Sequence, residues 1–204
     1  MKGGSDSRIY LTFDDGPDPI WTPRVLETLH LYRARATFFV VAPLATRYPY
    51  LIDQMAHAGH SVELHCTKHV RHTQLACPEV EVDARRGLED LRALGLLPKL
   101  WRTPWGVITP CTRDVAEKLG LTLISWTVDT HDWRGDTASE MFAHAGPDLR
   151  PGAVILMHDG LGPGARRSGC EETVSLIERV IKRARSLGCE PCSMGDPYAR
   201  LSNA

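Results

Sequence analysis

Two aspartates, Asp14 and Asp15, close the apolar run IYLTF and are followed at once by Gly16 and Pro17. Adjacent carboxylates raise each other's pKa unless a cation stands beside them, so the pair calls for a metal or an arginine. Neighbours on a regular strand face opposite sides. For both carboxylates to reach one site the strand must end or bulge here, which Gly16-Pro17 favours. Taken alone, D-D-G-P is an Asp-Gly turn. With a metal ligand nearby, one carboxylate holds the ion and stays charged while the other takes a proton from water.

Four further stretches carry groups suited to that chemistry. In LHCTKHVRH (64–72), His65 and His69 form an H-x-x-x-H pair. Two such histidines and one carboxylate make the open triad that divalent metals occupy, with positions left for water and substrate. His72 is a third candidate, but its further three-residue step reads as loop surface. In LWRTPWG (100–106), Arg102 ends an apolar run; an arginine beside a carboxylate keeps it ionised. Pro104 and Gly106 suit a turn that presents a backbone N–H outward, a donor for an oxyanion, and Trp105 can wall a pocket while Trp101 packs in the core. In VDTHDWRG (128–135) one aspartate can orient and charge-stabilise a catalytic histidine, with Trp133 as an apolar wall. His158, after the apolar VILM, then serves as general acid.

These groups need elements to hold them. Short apolar runs at 8–13, 36–41, 61–64, 99–101, 121–128 and 153–157 read as strands from their length and β-branched or aromatic content. Helical spacing covers 78–95 and 170–188, with weaker patterns at 22–33, 49–58, 110–119 and 137–145, and a last strand is expected after Leu187. Such alternation predicts a parallel α/β domain, a barrel or a doubly wound sheet. Five runs end on polar or ionisable residues: Asp14-Asp15, His65, Arg102, Asp129 to Asp132, and His158-Asp159. Sites of α/β folds are built at the carboxyl ends of their strands.

At 204 residues, 43% hydrophobic and 24% charged, the chain fits one globular domain, and a net charge of −1 offers no electrostatic case for nucleic acid. No run is long enough to span a bilayer, and the expectation is a cytoplasmic protein, or a secreted one if a signal peptide precedes this chain. Six cysteines do not amount to a disulfide scaffold at this size. The single C-x-x-C, Cys189 and Cys192, reads as two reduced thiols near the last strand.

In this order, TFDDGP, HCTKH, RTPWG, DTHDW and LMHDG closely resemble the motifs of the NodB-homology polysaccharide deacetylases, the metal-dependent de-N-acetylases of carbohydrate esterase family four. The resemblance runs from Thr12 to His158 and beyond. It implies a distorted (β/α) barrel in a single domain over 8–193, between a flexible N-terminal segment (1–7) and a C-terminal tail (194–204). It also implies a divalent metal, zinc first, with cobalt, nickel or iron as alternatives. By position, Asp15, His65 and His69 match the metal ligands, Asp14 the general base, Arg102 the residue that holds that base charged, His158 the general acid and Asp132 the carboxylate that tunes it. Trp105, next to Pro104, matches the oxyanion donor through its backbone N–H, and Trp133 and Leu156 match the pocket for the acyl methyl.

The implied activity is removal of an N-acetyl group from an amino sugar, expected here to be small, nucleotide- or lipid-linked, or a natural-product intermediate. The alternatives are a deformylase or amidase on a related small amide, a chitooligosaccharide or peptidoglycan deacetylase, and a non-catalytic carbohydrate-binding barrel. Two departures touch the second motif. Cys66 stands where Ser or Thr is usual, with Thr67 one position later, and Leu64 replaces the more usual Asn. Neither removes a ligand, but both alter a loop that borders the cleft in the family.

Overall fold

The computed structural model describes residues 7–195. Most of the tail expected over 194–204, and all but one residue of the segment expected over 1–7, lie outside that range. Within these residues eight parallel strands form one curled sheet: β1 (Arg8–Asp14), β2 (Thr37–Val41), β3 (Ser61–Cys66), β4 (Leu100–Trp101), β5 (Thr122–Leu123), β6 (Val128–Asp129), β7 (Val154–His158) and β8 (Glu190–Cys192). Their order is β5-β4-β3-β2-β1-β7-β6, with β8 pairing the start of β1. The central strands are buried almost throughout, which is why they read as continuous apolar runs. Among the described residues seven α-helices connect them: α1 (Trp21–Leu31), α2 (Ala42–Arg47), α3 (Pro49–His57), α4 (Cys77–Ala93), α5 (Pro110–Leu119), α6 (Ala138–Ala145) and α7 (Glu171–Ser186). None of the described helices is long and apolar enough to cross a membrane.

Helix ends follow local chemistry. Thr109 and Thr137 cap α5 and α6 by accepting the N–H groups of Thr112 and Glu140, and Gly120 closes α5 at φ +67°. The run at 121–128 is a correction. It splits into β5 and β6 because its two ends pair with different strands, β4 and β7. Residues 124–127 cross from one sheet edge to the other, Ile124 N–H donating to Trp101 and Thr127 N–H to Val154. This crossing links the two edges of the curled sheet, which leaves the barrel distorted and open between β5 and β6.

Register then sets the site. Asp14 is the β-ladder partner of His158. The β2–β3 pairing steps from Val40–Leu64 to Val41–Cys66 and skips His65, a bulge of the kind that re-aims a side chain at a strand end.

Candidate active site

Asp14 is the last residue of β1, and Asp15 takes φ +71°, a left-handed conformation that costs a non-glycine residue energy. That turn brings both carboxylates to one cavity of about 430 Å³, which Asp14, Asp15, His65, His69, Trp105 and His158 all line. The loop after β7 packs tightly on Asp15. A Cβ at Gly160 would come within 2.5 Å of the Asp15 carbonyl oxygen, and one at Gly162 would collide with its carboxylate.

On one side lies a nitrogen–oxygen cluster. Asp15, His65 and His69 each offer one donor atom, all within 4.8 Å of one another. Asp15 Oδ1 is 3.4 Å from His65 Nε2 and 3.1 Å from His69 Nε2, without hydrogen-bond geometry, and is left buried and unsatisfied. Burial would push the Asp15 carboxyl up, but the two imidazoles hold it well below the usual carboxylate range. His65 is raised in turn, its burial outweighed by Asp15. Its Nδ1 lies 2.6 Å from the Arg102 carbonyl. A carbonyl only accepts, so Nδ1 carries the proton and Nε2 is the free donor atom. An orphaned carboxylate oxygen facing two imidazole nitrogens fits a divalent cation, and three protein donors leave the open coordination of a catalytic site.

Behind Asp14, Arg102 is fully buried and donates through Nη1 to Asp14 Oδ1 (2.9 Å) and Thr12 Oγ1 (2.6 Å), with its guanidinium 4.3 Å over the Phe39 ring. On the far side, Asp132 accepts four hydrogen bonds: His158 Nδ1 (2.7 Å), His158 N–H (2.9 Å), Thr173 Oγ1 (2.8 Å) and Arg167 Nη1 (3.1 Å). Nδ1 is thereby the protonated nitrogen bound to Asp132, and Nε2 is left for chemistry. Burial alone would lower the His158 pKa, but Asp132 pushes it up to about 9.

Trp105, Trp133 and Leu156 line the cavity, whereas Pro104 is buried within the 104–106 turn and does not. Trp105 sits at φ +55° with its ring 4.2 Å from His69. His72 is a correction. It is buried, with Nδ1 2.9 Å from Thr112 Oγ1 and its ring against Trp101, because the loop folds inward onto α5. The Cys66 departure is absorbed next door. Thr67 N–H and Oγ1 and the Lys68 N–H all bind Asp83 of α4.

Arg167 and Thr173 escaped sequence reasoning, since nothing in their local sequence marks them as partners of Asp132. So did a disulfide between Cys77 and Cys111, which ties the starts of α4 and α5 together. Asp159 does not line the cavity. It accepts from Thr22 Oγ1 at 2.5 Å, and burial pushes its carboxyl up to about 7.

The family model for polysaccharide deacetylase matches residues 2–124. A chitooligosaccharide deacetylase from a Bradyrhizobium strain is 35% identical over 174 residues, 84% of this chain and 79% of that protein. A peptidoglycan-N-acetylglucosamine deacetylase from Bacillus cereus is 31% identical over 182 residues, 88% and 83% of the two chains. Among solved structures, a family 4 carbohydrate esterase from Streptomyces lividans, in complex with acetate, superposes with a TM-score of 0.83 at 30% identity over 98% of both chains.

Proposed function

Since the chain belongs to the polysaccharide deacetylase family (carbohydrate esterase family four, NodB homology) and is a metal-dependent deacetylase, we propose that it removes the acetyl group from N-acetylglucosamine units of an oligosaccharide or a peptidoglycan strand. Relatives with those substrates in their names support this over the small cytoplasmic substrate expected from the sequence. The observation that carries the reading is the meeting of Asp14, His158 and the Asp15–His65–His69 cluster in one cavity.

A divalent ion held by Asp15, His65 and His69 would supply Lewis acidity to an acyl carbonyl oxygen and to water; zinc is the ion we assign, as it suits nitrogen and oxygen donors. Asp14, fixed by Arg102, takes a proton from the attacking water as its oxygen bonds to the acyl carbon. The Trp105 N–H donates to the oxygen that gains charge. His158 Nε2 then delivers its proton to the amide nitrogen as the carbon–nitrogen bond breaks, so the sugar leaves as a neutral amine. Asp132 holds the imidazole in the tautomer and orientation this needs. Trp133 and Leu156 wall the acyl methyl.

The test is acetate and formate release from metal-stripped protein after zinc, cobalt, nickel or iron is added back. The panel spans N-acetylglucosamine oligomers, peptidoglycan fragments, small acetylated amino sugars and formamides. Metal-restored acetate release, best on the oligomers, is expected. Formate alone, preference for the small compounds, or no release with any metal would overturn the reading. We also place the enzyme in an oxidising compartment, on the strength of the Cys77–Cys111 disulfide; thiol labelling of protein taken directly from cells, with both cysteines reduced, would refute that.

A further inference from the structure

Four arginines and histidine-bound carboxylates crowd this cleft, yet the arginines divide into two kinds. Arg102 and Arg167 are spent inside the protein, on Asp14 and Asp132. Arg71 and Arg166 are exposed, line the same cavity, and take part in no ion pair among the described residues. Each lies over a tryptophan of the cavity wall. The Arg71 guanidinium is 4.5 Å from the Trp105 ring and that of Arg166 is 5.8 Å from the Trp133 ring. Stacking on an aromatic face restrains a guanidinium and leaves its N–H fork at the edge free. The Arg166 backbone is itself pinned, its N–H donating to the Trp133 carbonyl at 2.8 Å. The carboxylates below do not compete for these cations. Asp14 is paired with Arg102, Asp132 with His158 and Arg167, Asp129 Oδ1 accepts the His131 N–H, and Asp15 belongs to the metal cluster.

We infer that Arg71 and Arg166 form an anion-reading rim, which selects glycans carrying a carboxylate or phosphate next to the N-acetylated sugar in the cleft. This rests on the deacetylase reading above and narrows its substrate. It also gives a role to Arg71, the basic residue just beyond His69 in the second motif, which the chemistry itself leaves unused. Bidentate guanidinium–carboxylate and guanidinium–phosphate pairs are geometrically specific, and at an exposed rim two of them are worth roughly a three- to tenfold preference.

The experiment uses the zinc-loaded full chain and matched substrates. One is a disaccharide with a carboxylate on the neighbouring ring, the second is its methyl ester, and the third carries a phosphate monoester instead. The carboxylate or phosphate form is expected to exceed the ester roughly three- to tenfold in kcat/KM, chiefly through KM, with the advantage falling as salt rises. Whichever anion shows the advantage identifies the source. Arg71→Gln with Arg166→Gln should bring the ratio close to one, and Arg71→Lys with Arg166→Lys should keep part of it. Equal rates in the starting protein, or a ratio that survives the glutamine pair, overturn the inference while leaving the deacetylase reading intact. If no glycan releases acetate, that reading fails. Tryptophan fluorescence titration then decides the rim alone: tighter binding of the acid than of its ester upholds it, and equal binding overturns it.

Discussion

The two walls of the cleft are held by different means. Around His158, the carboxylate and imidazole that do the chemistry are satisfied from within, and of Arg167 only Nε is left buried without a partner. Asp132 accepts four hydrogen bonds, and Arg167 donates to Asp132, Thr173 and the carbonyls of His158 and Gly160. Around His69 the opposite holds. Asp15 Oδ1 and His69 Nδ1 are buried without hydrogen-bond partners, and the loops there are braced by a disulfide, by Asp83 and by the edge-to-face His69–Trp105 pair. A buried polar group left unpaired costs about 1–3 kcal/mol, and a cation between Asp15 Oδ1 and the two Nε2 atoms would remove that cost at the carboxylate. The acid wall is preorganised by the chain alone, whereas the metal wall is a socket. Losses should therefore sort by wall.

The largest expected effect is on the socket. Asp15→Asn keeps the shape of the side chain but removes its charge. It should cost stoichiometric metal, measured by atomic emission, together with about 10³-fold or more in kcat/KM, the several kcal/mol an ion supplies. The His158 imidazole resonance should stay in place. Asp14→Asn should give a loss of similar order with metal content unchanged, since it removes the base and not a ligand. A displaced His158 resonance in the Asp15 variant would show that the walls are not independent.

Next comes the acid wall. Asp132→Asn should retain metal and lower kcat/KM roughly 10²-fold, the scale of a general acid. Its pH profile is the sharper test. His158 must be protonated to act, so activity should fall as pH rises through about 9. Without Asp132, burial is opposed only by the Asp15 and Asp14 charges, and the fall should begin well below pH 9. The sign carries over to stability. A pKa raised by folding contributes fully below about 6.5, and the contribution is lost as pH rises through about 9. An alkaline limb that stays put in the variant would assign it to a group other than His158.

The same contrast explains what could be read from the sequence. The reacting groups were legible because each ends an apolar run, and a buried parallel strand announces itself as such a run. Arg167 and Thr173 were not, because they meet Asp132 only through tertiary packing, 35 and 41 residues away. His72 looked like surface by spacing, and only the inward fold of its loop onto Thr112 shows otherwise. The split of 121–128 into β5 and β6 depends on which strand each end pairs with, information a local apolar run does not contain. Cys77 and Cys111, 34 residues apart, are coupled by the same kind of long-range geometry.

That disulfide offers the smallest effect and the cleanest separation of the walls. Cys77 follows the loop that carries His69, Arg71 and His72, and Cys111 follows the turn that carries Trp105. The cross-link therefore joins the roots of two loops that meet again at the His69–Trp105 and Arg71–Trp105 contacts. Cys77→Ser with Cys111→Ser should lower stability by about 2–4 kcal/mol, read from denaturant unfolding. The His72–Thr112 hydrogen bond and the Asp83 anchors still hold these loops, so activity should fall only a few-fold, through KM, with a change in Trp105 fluorescence. Nothing in the cross-link touches Asp132 or His158, so the alkaline limb near pH 9 should not move. An unchanged KM would mean that the remaining contacts set the Trp105 wall without the disulfide. A shifted limb would mean that strain in one wall reaches the other through β1, where Asp14 and His158 are ladder partners.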